Sequence, residues 1–412
     1  MRILILGHNY APELTGIAPY TTELAEHFAA VGHAVTVLTT FPHYPRYRWH
    51  GKPGVYKSER VNGVDVRRLR VILPRKPSAA WRILFDVSVG LSCLTTSIGL
   101  AKPAVIVAVV PTLETGFVAG LLSKLWRVPA VLLVKDLPLE AGLAVGMLRS
   151  GLLSRAGFRF ERMVYRMAAR IVVIGTRFSS NLAAKGVRPE LISVIPDWVD
   201  IGRLGTVPRD PAIRRRLAGS EVAFLILHTG SMGEKQGLRT VIDASKALAD
   251  DATIRIVLVG DGPTRPQLQA VIDELGINNV RLVEIQPVEY FPKMLAAADV
   301  LLLNQRAGVV DAVVPSKLLH YMAAERPIIA AVSPESVAAE LINSAGCGLV
   351  VAPEDPMRLA FAIRELCGQP EKRKELGRAG RDYAEKWFGK GPILERWDRF
   401  LREVVAPPRL PE

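Results

Sequence analysis

Short apolar runs alternate with stretches of helical spacing along almost the whole chain. In the first half the runs fall at 3–6, 34–38, 64–69, 104–109, 130–134, 171–174 and 192–195. Helical patterns, such as those at 20–31 and 152–169, separate most of them. The runs are rich in Val and Ile and carry no alternating polar positions, as parallel strands buried on both faces require. Beyond Asp200 the pattern changes. Residues 202–219 hold several Arg, two Pro and no clear strand, which marks an interdomain connection. A second series then begins, with runs at 224–227, 254–259, 280–283, 300–303, 328–332 and 348–351. The alternation predicts an α/β protein of two Rossmann-like domains facing each other over a central cleft. Their expected spans are 1–200 and 222–388, joined by a linker at 201–221. An amphipathic helix at 393–405 carries Trp397, Phe400 and Leu401 near one face. The segment 389–412 is therefore expected to cross back to the first domain.

Two loops carry the clearest chemistry. The run at 300–303 feeds a Gly-bearing polar loop and then Val-Val-Pro-Ser-Lys317, which opens a helix with Leu318, Leu319, Met322 and Ala323 on it. A helix N-terminus offers free N–H groups and the positive end of a dipole, a seat for phosphate. Lysine in a first turn opposes that dipole unless an anion is present, so Lys317 points to one. The run at 224–227 leads into Thr229-Gly-Ser-Met-Gly-Glu-Lys-Gln-Gly237, a second Gly-rich loop with a lysine, Lys235, ahead of a helix. One diphosphate held between the two loops is the expectation. An ordinary strand–loop–helix with a solvated lysine is the competing reading of either loop alone.

Composition narrows the partners. A net charge of +13 favours acidic ones: nucleotides, nucleic acid or an anionic membrane surface. The basic residues are scattered rather than striped and no nucleic-acid signature is present, so nucleic acid is not expected. Cys93, Cys347 and Cys367 lie far apart and form no C-x-x-C pair, which suits a reducing, cytoplasmic compartment. The opening Met-Arg-Ile-Leu-Ile-Leu-Gly reads as a first strand, not a signal peptide, because it lacks a cleavage site and stops at His8. Residues 83–100 are apolar-rich but contain Asp86 and five Ser or Thr, so a membrane span is a weak reading and an interfacial or buried helix a better one. Arg67, Arg68, Arg70, Arg75, Lys76 and Arg82 precede this segment. That prelude predicts peripheral attachment to the inner face of the cell membrane, against a core helix beside a solvated loop.

Several segments together resemble the retaining family 4 glycosyltransferases of GT-B fold, over nearly the whole chain. They are Asn9-Tyr-Ala-Pro-Glu-Leu-Thr-Gly-Ile17, Asp136 to Glu140, Ile195-Pro-Asp-Trp-Val-Asp200, Gly233-Glu-Lys-Gln-Gly-Leu238, Val259-Gly-Asp-Gly-Pro263 and Pro315-Ser-Lys317. Within that family the chain looks most like transferases of bacterial surface polysaccharide, of the colanic-acid fucosyltransferase and N-acetylfucosaminyltransferase kind. The resemblance implies a UDP- or GDP-sugar donor on the C-terminal domain, a saccharide or lipid-linked acceptor on the N-terminal domain, and retention of anomeric configuration. It implies catalytic roles for Lys235, Lys317, Asp311 and Asp136. Donor contacts would come from Gly16, Gly230, Ser231, Gly233, Gln236, Gly260, Ser316 and His320. Acceptor contacts would come from His8, Tyr10 and Glu140.

The chain departs from the family in places. The usual Arg after the first phosphate-loop glycine is Ser231, and the usual pair of Glu spaced eight apart is missing. His320 takes the place of the second Glu and Asp311 stands nearest the first. Lys135 replaces the His that normally meets the sugar's 6-hydroxyl, which is compatible with a 6-deoxy donor. No Asp-x-Asp occurs, so no cofactor and no protein-held Mg²⁺ is expected. A soluble small-molecule acceptor, a nucleotide-sugar 2-epimerase and an inactive binding module stay open as alternatives.

Overall fold

A computed structural model describes residues 1–406 except 14–15, 44–46, 50, 75–77, 111, 138, 140–150, 206, 222 and 309–314. The chain divides into two units, Met1–Pro196 with Ile393 onward, and Asp197–Pro392.

Among the described residues, the first unit holds β1 (Arg2–Leu6), β2 (Ala34–Thr40), β3 (Tyr56–Val61), β4 (Val64–Leu69), β5 (Val105–Val110), β6 (Ala130–Val134), β7 (Arg170–Val173) and β8 (Ile192–Val194). They lie in the order β3-β4-β2-β1-β5-β6-β7-β8. Every pairing is parallel except β3 with β4. Strand β5 is buried at every position, which explains its unbroken Val-rich run. Strand β3, Tyr-Lys-Ser-Glu-Arg-Val, escapes a hydrophobic-pattern reading because it is a solvated edge strand. The C-terminal helix Lys390–Val405 buries Ile393, Leu394, Trp397 and Leu401. His33 locks it in place: Nε2 lies 2.6 Å from Asp398, and Nδ1 lies 3.1 Å from the Met1 amino group.

The second unit has a six-stranded parallel sheet of β9 (Phe224–Thr229), β10 (Ile254–Val259), β11 (Val280–Val283), β12 (Val300–Asn304), β13 (Ile328–Ala331) and β14 (Gly348–Val351). Their order is β11-β10-β9-β12-β13-β14. The expected linker 201–221 is instead part of this unit. It forms helices Ile201–Gly205 and Pro211–Ala218, whose Leu204, Ile213 and Leu217 join the unit's core. Asp210 caps the second of them by accepting from the Ala212 and Ile213 N–H groups.

Strand order sets the candidate sites. In an open parallel sheet, adjacent strands whose crossovers leave in opposite directions splay their loops apart and make a crevice at the carboxyl ends. This happens between β1 and β5 in the first unit and between β9 and β12 in the second.

Candidate active site

The loops after β9 and β12 are the two that carry Lys235 and Lys317, so the fold brings both to the second sheet's crevice. Helix Ser316–Ala323 turns Lys317 and Tyr321, four residues apart, toward the end of β9. Tyr321 Oη accepts from the Thr229 N–H at 2.9 Å and lies 3.2 Å from Thr229 Oγ1. Lys317 Nζ lies 3.3 Å from Nε2 of His228, the residue before Thr229. His228 is fully buried and its Nδ1 is 3.1 Å from the Leu302 carbonyl. A carbonyl only accepts, so Nδ1 carries the proton and Nε2 faces Lys317 as an acceptor. Burial, then the Lys317 charge, holds the His228 pKa well below its ordinary value. Part of Lys317 reaches solvent, but its ammonium is enclosed, and burial pulls its pKa from 10.5 to about 7.

Glycines make room for this arrangement. Gly230 has φ +118°, and a Cβ there would stand 3.2 Å from Lys317 Nζ. Gly260, expected as a donor contact, stands against the loop after β9. A Cβ on it would fall 1.8 Å from the Gly230 carbonyl, and one on Gly262 would fall 2.4 Å from the Met232 carbonyl. The backbones of the two loops therefore pack directly, joined by Gly230 N–H to Val259 O at 2.8 Å and Met232 N–H to Asp261 O at 2.9 Å. Gly260 supports the loop that carries Gly230.

Lys235 sits exposed on the short 3-10 helix Glu234–Gln236. Gln236 Oε1 accepts from the Gly233 N–H at 3.0 Å, so the Gln236 side chain shapes the loop. Arg306, which pattern reading passes over, pins that turn. Its N–H donates to the Lys235 carbonyl at 2.9 Å, and its guanidinium reaches Glu234 at 3.4 Å and Glu354 at 3.3 Å. Ser231 and Ser316 are exposed. Helix Ser316–Ala323 has no side-chain cap at Pro315, and His320 meets Phe291 edge-on at 5.5 Å between ring centres. Asp311 lies outside the described residues.

In the first unit, Gly7, His8, Asn9, Ile17, Thr21 and Val109 line a small hollow at the ends of β1 and β5. Gly16 precedes helix Ala18–Ala30 with φ +66°. His8 is buried, and burial followed by the charge of Arg82 holds its pKa well below normal. It is neutral at physiological pH. Tyr10, expected as an acceptor contact, is 1 % exposed, so its ring lies beneath the surface. Asp136 is exposed, at the end of β6, and its Oδ1 accepts from the Leu137 N–H at 2.8 Å. Lys135 is buried with Nζ 3.7 Å from the Tyr20 ring centre. Glu140 lies outside the described residues. Two half-buried acids, Asp86 and Glu114, lie on helices Ala79–Ser97 and Leu113–Trp126. Burial raises Asp86 to about 6 and Glu114 to about 7, while Arg82 pairs with Asp86 at 3.2 Å.

Residues 15–198 match the glycosyl transferase 4-like domain, and residues 210–383 match the glycosyl transferases group 1 domain. The chain is 30% identical to the putative colanic acid biosynthesis glycosyl transferase WcaI of Escherichia coli K12, over 98% of this chain and all of the relative. It belongs to the GT-B glycosyltransferases. Two solved structures share this glycosyltransferase's fold. Sucrose-phosphate synthase from Thermosynechococcus elongatus superposes with a TM-score of 0.76 at 18% identity, over 98% of this chain and 99% of that one. Anabaena HepE in complex with UDP gives 0.70 at 18% identity, over 98% and 100%.

Of the basic residues before helix Ala79–Ser97, Arg67 and Arg68 are engaged. Arg68 is buried, with Nε 2.5 Å from Glu59 and Nη2 donating to the Ala11 carbonyl at 2.6 Å. Arg67 meets Asp65 at 3.4 Å, and Arg82 meets Asp86 and, at 2.8 Å, Tyr47. Arg70 is exposed, and Arg75 and Lys76 lie outside the described residues. No described helix is long and apolar enough to cross a membrane.

Proposed function

We propose that this glycosyltransferase moves a hexosyl or 6-deoxyhexosyl group from a nucleoside-diphosphate sugar to a saccharide or lipid-linked saccharide, with retention and without a protein-held metal, in bacterial surface polysaccharide assembly. The observation that carries the reading is Lys317. Its ammonium is buried beside a Gly-rich loop, held by His228 and given no carboxylate partner among the described residues. A buried cation placed at a helix start is an anion site in waiting. As the sugar–oxygen bond breaks, charge grows on the departing diphosphate, and Lys317, Lys235 and first-turn N–H groups stabilise it. The acceptor hydroxyl then attacks the same face of the oxocarbenium-like sugar. HepE, with its bound UDP, supports a nucleoside diphosphate, and the name of WcaI supports polysaccharide assembly. Lys135, turned against Tyr20, supports a 6-deoxy sugar, because no imidazole stands there for a 6-hydroxyl.

The test is release of UDP or GDP from a panel of nucleotide sugars, with and without lipid-linked saccharide. Acceptor-dependent release is expected, and Lys317→Ala or Lys235→Ala should each lower kcat/KM on the order of 10². Near-normal kinetics in both variants would end the diphosphate assignment, and epimer formation without acceptor would replace the transfer reading. Full activity is expected in EDTA, since the sequence holds no Asp-x-Asp. Activity lost to EDTA and restored by Mg²⁺ or Mn²⁺ would count against metal independence.

A further inference from the structure

Helix Leu152–Met167 carries a charge pattern that the fold does not use. Arg155, Arg159, Arg162 and Arg166 are all exposed. At 3.6 residues per turn they fall within about 60° of one another on the helix circumference. The helix's acid, Glu161, points the other way. It is fully buried, pairs with Lys185 at 2.7 Å and accepts from Tyr165 Oη at 3.0 Å. None of the four arginines has an acidic partner among the described residues. Like charges three and four residues apart repel and destabilise a helix, so the stripe works against the helix's own stability.

The stripe has apolar flanks. Leu152 and Met163, both exposed, lie on one side of it by the same helical arithmetic. Helix Leu113–Trp126 packs against this helix through Phe117 and Phe160, with ring centres 5.6 Å apart, and it exposes Leu121, Lys124 and Leu125. Helix Ala79–Ser97 packs against helix Leu113–Trp126 in turn. Its outward positions Leu84, Val87 and Leu91 repeat at helical spacing, and Leu91 is 61 % exposed. Three adjoining helices thus present apolar rows beside a row of four arginines that have no acidic partner among the described residues.

We propose that this face of the first unit docks on an anionic lipid bilayer, with the arginines of helix Leu152–Met167 on lipid phosphates and the apolar residues of the three helices in the interface. Charge complementarity selects the occupant, and the exposed Leu, Val and Met side chains favour a bilayer over nucleic acid, which offers no apolar layer. The inference deepens the functional reading by naming a membrane surface as partner. It relocates the basic element from the segment before residue 82 to a helix 70 residues further on.

The experiment is co-sedimentation of the full chain with phosphatidylglycerol-containing vesicles and with pure phosphatidylcholine vesicles, at low and high salt. Arg159→Ser with Arg162→Ser should lower partition onto anionic vesicles roughly thirtyfold at low salt, about fivefold per arginine. The loss should shrink as salt rises. Leu84→Ser with Leu91→Ser should weaken partition at both salts. Exposed arginines of the second unit, Arg358→Ser with Arg378→Ser, should leave it unchanged. All of these positions are exposed, and unchanged thermal melting verifies the fold. Equal loss in the second-unit control, no preference for anionic vesicles, or tighter binding to an RNA oligomer than to vesicles would each overturn the proposal. The assay needs no donor or acceptor, so its failure would leave the transferase reading standing.

Discussion

A lysine held in a dry site gives up its proton more readily than one in water. Lys317, drawn to about 7 by burial, follows this rule. Between that value and 10.5 the unfolded chain binds more protons than the folded one, so stability climbs with pH across this window and is lowest at and below about 7. Lys317→Met removes the buried charge and keeps the bulk. Melting of the second unit should rise by several degrees near pH 6, with a gain that fades toward about pH 10. A gain independent of pH would refute the enclosed ammonium. A bound diphosphate should restore the charge, so UDP or GDP binding near pH 8 should take up a proton, visible as a heat that varies with the buffer's ionisation enthalpy. His228 was legible in part: it is a polar residue ending the apolar run at 224–227, although its partner, 89 positions away, was not.

At the scale of elements, the second unit's phosphate-type loop is built by backbone against backbone. Gly260 and Gly262 let the loop after β10 lie on the loop after β9 at distances no Cβ tolerates. The neighbouring atoms are carbonyls and not flexible side-chain ends, so nothing yields cheaply. Gly260→Ala should therefore destabilise the second unit by more than about 3 kcal/mol, read as its denaturant midpoint, with the loop chemistry lost as well. A near-neutral effect would mean that the loops are not in direct contact. The spacing Val-Gly-Asp-Gly-Pro263 suggested a turn and a donor contact. The packing of two loops 30 residues apart through these glycines appears only in three dimensions. The same limit hid strand β3, whose edge position needs no apolar residues, and the helices within 201–221, whose arginine-rich sequence conceals a narrow apolar face.

At the scale of the molecule, the chain's last helix completes its first unit. Trp397 is 1 % exposed, and Ile393, Leu394 and Leu401 are buried with it. Trp397→Ala should cost about 3–5 kcal/mol in the stability of the first unit, and calorimetry should show the first unit's transition falling while the second's holds. A fall in the second transition alone would contradict the assignment of this helix. Because His33 holds Asp398, the helix is tied to the loop before β2 and to the chain's first residue.

Sequence by itself determined the class of this protein: two series of strands buried on both faces, too regular to be anything but α/β sheets, the second with two Gly-bearing loops that open helices. Local periodicity and turn chemistry depend on near neighbours, and these are what a sequence displays. Tertiary structure decided the rest. It set the strand order that places the loops of Lys235 and Lys317 at one crevice, put His228 beneath Lys317, and sank Tyr10 below the surface. It also engaged Arg67 and Arg68 while leaving the arginines of helix Leu152–Met167 without an acidic partner among the described residues. Each of these turns on whether a charge or ring finds a partner across tens of residues, and burial and pairing exist only once the sheets have assembled.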